Sequence, residues 1–166
     1  MSAQPNAATV VNRKGGRVAS LASTLSELKI RWEVSGTAIR EGASLRAIQA
    51  FEDRYAVTFP PAFAEYLRTV DGMNSGETDE RLLRFWKLEE LRPVHESRFD
   101  VPESYTGYFV FADCPLGEHG YAIRLLKGGN DVVLVGAEPL TLVAASFSEF
   151  LTAYLRGAVP FGRGKT

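Results

Sequence analysis

Apolar residues recur every three or four positions through the first part of the chain. Val18, Leu21, Leu25 and Leu28 have that spacing and predict a first helix over residues 17–29. Residues 30–34 either extend this helix or form a short strand, and 35–43 read as a loop. Ser44 suits an N-cap, because its hydroxyl can accept from the free backbone N–H groups of a first turn. Behind it, Leu45, Ile48, Phe51 and Tyr55 line one face of a second helix. Val57 and Phe59 are extended, partly because a residue before proline is pushed out of the helical region. Pro60-Pro61 opens a third helix with a buried stripe of Phe63, Tyr66, Leu67 and Val70. Asp71-Gly72 ends it, with Gly72 able to take the left-handed conformation.

The pattern changes after an acidic loop over 73–80. Residues 82–88 are apolar on both faces, which predicts a strand covered on both sides. A short helical turn over 89–94 and an irregular stretch over 95–106 follow. Residues 108–112 and 121–126 predict two strands, joined by a 113–120 loop that holds Pro115, Gly117 and Gly120. Gly128-Gly129-Asn130-Asp131 is a hairpin signal before a strand over 132–135, and 139–144 can form one more. Ser146-Phe147-Ser148-Glu149 is a capping box for a last helix. Phe147, Phe150, Leu151, Tyr154 and Leu155 form its apolar face, and Gly157 stops it. Helices, then a run of strands, then a helix predict an α+β fold, with helices packed on a mixed, largely antiparallel curled sheet. The domain is expected over 17–157, between a flexible tail over 1–16 and a basic tail over 158–166.

Composition narrows the function classes. The chain has 166 residues, 45% of them apolar and 23% charged, which suits one globular domain and excludes general disorder. Its single cysteine, Cys114, excludes an intramolecular disulfide framework. No run approaches the roughly 20 apolar residues that span a bilayer. Residues 1–16 lack the apolar core of a secretory signal, so a cytoplasmic protein without a membrane partner is expected. Net charge is −1, but residues 27–155 carry all 20 acids against 13 of the bases. Such a body repels nucleic-acid phosphates and attracts basic proteins.

The search for chemistry returns little. His95 and His119 do not sit at i, i+4, and there is no CxxC pair, nucleophile elbow, P-loop or dinucleotide fingerprint. Lys127-Gly128-Gly129 lacks the loop-then-helix context of a phosphate cradle. Cys114 and His119 lie on one loop and could form a nucleophile–base pair, with Asp113 and Glu118 to orient the imidazole. Their separation of five residues fixes no geometry, and cysteine is commonly a small buried hydrophobe. A metal set of Asp113, Cys114, Glu118 and His119 would mix soft and hard ligands without spacing logic. The expectation is no catalytic residue, no metal and no cofactor.

Several motifs resemble a known family when taken in order. These are Phe51-Glu52, Val57-Thr58-Phe59-Pro60, Phe63, Tyr66-Leu67 and Asp71-Gly72. Phe85-Trp86-Lys87-Leu88-Glu89-Glu90-Leu91, Phe111-Ala112-Asp113, Tyr121-Ala122-Ile123 and Ser146-Phe147-Ser148-Glu149-Phe150-Leu151 continue the series. Together they resemble the SMI1/KNR4 family, or SUKH superfamily, over residues 44–157. Asp71 stands where that family usually has asparagine. The resemblance implies an α+β fold and no catalysis. It also implies a protein-binding role. Bacterial members are widely read as immunity proteins that neutralise a toxin, often a basic nuclease, and fungal members act as scaffolds.

The leading expectation is therefore an immunity-type protein whose partner is a cognate toxin domain. The alternatives are a general interaction or scaffold module without a toxin, and a thiol enzyme built on Cys114 and His119. Residues 71–118 hold 11 acids and 5 bases, so this stretch is the candidate partner surface. Its expected contacts are Asp71, Glu77, Asp79, Glu80, Asp113 and Glu118, on two loops that a common sheet edge would unite. Trp86 and Tyr105 are the candidate aromatic anchors.

Overall fold

The computed structural model describes residues 19–136 and 140–159. The expected N-terminal tail, Arg17 and Val18 of the first expected helix, Pro139 of the last expected strand and 160–166 of the basic tail lie outside the described residues.

Among the described residues, four α-helices form where apolar spacing and caps coincide. Helix α1 is Leu21–Val34, started by the Ser20 hydroxyl accepting from Ser23 N–H. It runs through 30–34 without becoming a strand, because fully buried Trp32 extends the stripe of Leu25 and Leu28 by one more turn. Helix α2 is Leu45–Tyr55, capped by Ser44 on Ala47 N–H. Helix α3 is Pro61–Val70, with proline at its first position. Asp71 itself takes the left-handed cap at φ 37°, and Gly72 follows at φ 67°. A Cβ on Gly72 would meet the Trp86 carbonyl oxygen at 2.4 Å, so glycine lets the chain pass close to its neighbour. Helix α4 is Phe147–Leu155, where Ser146 accepts from Glu149 N–H and the Glu149 carboxylate accepts from Ala145 N–H.

The strands are β1 (Arg84–Phe85), β2 (Arg92–Pro93), β3 (Tyr108–Asp113), β4 (Gly120–Arg124), β5 (Val132–Val135) and β6 (Thr141–Ala144). Every pairing among them is antiparallel, in the order β1-β3-β4-β5-β6, with β2 also beside β3. The fold is α+β, as the order of elements predicts. The strand expected over 82–88 contracts to two residues. Leu82 has φ 63°, which no strand accepts, and Leu88–Glu90 is already a tight helical turn.

Both faces of the sheet are covered over β3, β4 and β5, whereas β6 is largely exposed. On one face α1, α3 and α4 pack together over the strands. Their seam is aromatic: Phe63 meets Phe147 at 4.8 Å, Phe111 meets Phe150 at 5.1 Å, and Trp32 meets Phe85 at 5.1 Å between ring centres. Tilted pairs of this kind add to the area they bury. Helix α2 joins through Phe51, whose ring lies 5.8 Å from Phe109. The opposite face is roofed by the segment over 94–107. Tyr105 donates its hydroxyl to the Leu134 carbonyl, and Phe99 lies so close to Gly120 that a Cβ there would meet it at 2.8 Å. All six residues of β3 are buried as a result.

Candidate functional site

Arg84 of β1 pairs with Asp113 at the end of β3, so the turn over 79–83 and the loop over 114–119 leave the sheet side by side. A hollow of about 240 Å³ lies between them, bordered by Leu82, Cys114, Leu116 and His119. Glu80 and Glu118 are exposed at this end. Two of the expected contacts therefore share one edge.

Asp71 and Glu77 are engaged elsewhere. Asp71 is half-buried, accepts from Leu88 N–H at 2.7 Å and has Arg40 at 3.7 Å. Burial raises its pKa, against the opposing pull of the Leu88 bond and the Arg40 charge. Glu77 accepts from Ala38 N–H and Asn74 N–H, which ties its loop to the chain after α1.

Asp79, Trp86, Tyr105 and Asp113 are interior, at 6%, 6%, 1% and 4% exposure. Little of these four side chains is left for a partner to touch. Asp79 accepts from Arg81 N–H at 2.8 Å, Leu83 N–H at 2.9 Å and the Tyr154 hydroxyl at 2.5 Å. The Tyr154 oxygen accepts in turn from Trp32 Nε1 at 3.1 Å. Burial, followed by the adjacent carboxylate, pushes the Tyr154 hydroxyl well above its usual range. Asp113 accepts from Trp86 Nε1 at 2.8 Å, with Arg84 and Arg98 each at 3.5 Å. A buried carboxylate with this many donors is held in the fold, and it fixes the indole beside it. The sequence could not separate these acids from surface ones, because the partners that hold them, Tyr154 for Asp79 and Trp86 for Asp113, lie far along the chain.

A larger cleft of about 650 Å³ lies between α2 and the segment over 88–96. Ala43, Ala47 and Ala50 form one wall, and Phe51, Leu88 and Leu91 the floor. Its rim mixes Asp71, Glu89 and Glu96 with Arg54 and Arg92. The hydrogen bond and charge of Lys87, 2.7 Å away, hold Glu89 below its usual range. Sequence reading missed this cleft, whose signal was the row of alanines on the second face of α2.

Cys114 and His119 do share a loop, through Cys114 N–H donating to the His119 carbonyl at 3.0 Å. Burial raises the thiol pKa, and the Asp113 and Asp79 charges raise it further. A nucleophilic thiolate needs the opposite shift. Among the described residues no group of three or more His, Cys, Asp or Glu could hold a metal ion, and no helix is long and apolar enough to cross a membrane.

A family model described as SMI1 / KNR4 family (SUKH-1) matches residues 42–153, from the loop before α2 into α4. No curated protein matches the chain.

Proposed function

The chain belongs to the SMI1/KNR4 family (SUKH-1), and on that premise we propose that it is a cytoplasmic immunity-type protein that binds and neutralises a toxin domain. Family membership over residues 42–153 carries the reading. Charge supports it and suggests a basic partner. Between Asp71 and Glu118 six acids are exposed, namely Glu80, Glu89, Glu96, Asp100, Glu103 and Glu118, against the exposed bases Arg92 and Arg98. Arg84 and Lys87 are less exposed and are engaged by Glu90 and Glu89. Such a surface accelerates encounter with a basic protein and disfavours nucleic acid. The raised Cys114 thiol pKa argues against the thiol-enzyme alternative. Co-expression with any toxin domain encoded beside this chain's gene tests the proposal, and a neighbourhood without a toxin gene counts against it. Cells expressing the toxin alone should arrest, and cells expressing both should grow. Arrest in both cultures contradicts it and favours a scaffold role.

A further inference from the structure

Eight large hydrophobic residues are well exposed among the described residues, and four of them gather around one turn. Ile30 and Val34 of α1, at 60% and 84% exposure, border a shallow hollow together with Glu27, Arg31 and Glu80. Leu82 and Leu116, at 51% and 87%, border the hollow on the other side of that turn. The turn over 80–82 stands between the two hollows, so the four side chains flank one turn.

The turn is built to present Leu82 outward. Asp79 Oδ1 accepts from the N–H groups of Arg81 and Leu83, and Leu82 N–H donates to the Asp79 carbonyl. Leu83 is driven into the core at 0% exposure, while Leu82 is held at φ 63°. Leucine rarely adopts that backbone, and it persists here because the buried Asp79 network fixes both sides of it. A strained residue that exposes an apolar side chain contributes nothing to the core.

We propose that the face around this turn, with Ile30 and Val34 on one side and Leu82 and Leu116 on the other, docks a basic protein segment carrying apolar side chains. The proposal rests on the protein-binding reading above and assigns it a surface. Glu27, Glu80 and Glu118 are exposed along the face, and none has an ion-pair partner among the described residues. Of the nearby bases, Arg31 and Arg81 are half-buried, with the Arg81 guanidinium against Gly157, and the exposed Arg98 is held by the Cys114 and Gly117 carbonyls. An incoming segment therefore meets leucine and valine side chains rimmed by carboxylates, which selects lysine and arginine around an apolar contact. A second copy is a poor occupant, because a two-fold contact would oppose these carboxylates to themselves.

The test uses the full chain and a synthetic amphipathic Leu/Lys peptide as probe. In an NMR titration, shift changes should cluster over residues 27–34, 80–82 and 114–118. Leu82→Ser combined with Leu116→Ser should weaken binding about tenfold or more, whereas Leu45→Ser on α2 should leave it unchanged. A Leu/Glu peptide should not bind. Changes centred on the α2 cleft, equal binding of both peptides, or unaltered affinity of the double variant overturn the proposal. So does a concentration-dependent dimer that the double variant abolishes, since the face then belongs to a second copy. The purified toxin domain separates this idea from the one beneath it. If the toxin binds the double variant as tightly as wild type, the docking face is wrong and the immunity reading stands. If the peptide maps to this face and no toxin binds, the immunity reading fails alone.

Discussion

The Tyr154 hydroxyl donates to Asp79 Oδ2 at 2.5 Å, so the last helix is bonded to a turn 75 residues earlier in the chain. Trp32 of α1 donates to the same hydroxyl, and three elements meet at one oxygen. Tyr154→Phe removes a bond to a buried carboxylate and strands the indole N–H. It should cost about 2 kcal/mol in urea denaturation with the native fold retained. An unchanged midpoint would mean the network contributes nothing to stability.

Asp71 gives a pH signature. Burial raises its pKa above the ordinary 3.8, so the folded state holds the proton more tightly than the unfolded one. Ionised Asp71 therefore costs stability above its folded pKa, and that cost fades as pH falls through the folded pKa toward 3.8. Asp71→Asn keeps an oxygen for Leu88 N–H and carries no charge to bury. Relative to this variant, wild type should be more stable at about pH 4 than at about pH 7. A difference that does not change with pH contradicts the assignment.

Gly42 is fixed by space rather than by backbone angle. A Cβ there would lie 1.6 Å from the Arg68 carbonyl oxygen, which is backbone and cannot turn aside. Gly42→Ala should cost about 3 kcal/mol by thermal or chemical unfolding. Gly76→Ala meets nothing within 4 Å and should cost about 1 kcal/mol, from its left-handed φ of 85°. Equal losses for the two variants would contradict this account of Gly42.

Cys114 should behave as a packing residue. With its pKa raised by burial and by Asp113, the thiol should react with iodoacetamide more slowly than free cysteine at mildly alkaline pH. On the proposed immunity role, Cys114→Ala should protect toxin-expressing cells as well as wild type. Fast alkylation together with lost protection would revive the thiol reading.

Local signals made the helices legible. Ser44, Pro61 and Ser146 each start a helix where cap chemistry says they should, and the stripe of Phe63, Tyr66, Leu67 and Val70 is buried as its spacing implies. Strands 108–112 and 132–135 were equally readable from density of aromatic and branched residues. The candidate site was not. Asp79 and Asp113 look like surface acids in sequence, and only long-range partners, Tyr154 for one and Arg98 for the other, reveal them as interior. Trp86 is likewise buried by a segment without periodicity. Leu82 carries no local mark of exposure, since its outward turn depends on the Asp79 carboxylate three residues before it.

The central claim is that this chain binds a basic toxin domain, and association kinetics with a purified candidate toxin domain from the gene neighbourhood test it most directly. Tight one-to-one binding is predicted, with an on-rate that falls as salt rises. Glu80→Lys combined with Glu118→Lys should lower that on-rate about tenfold and flatten its salt dependence, leaving the off-rate nearly unchanged. No measurable binding, or an on-rate indifferent to both salt and these charge reversals, would contradict it.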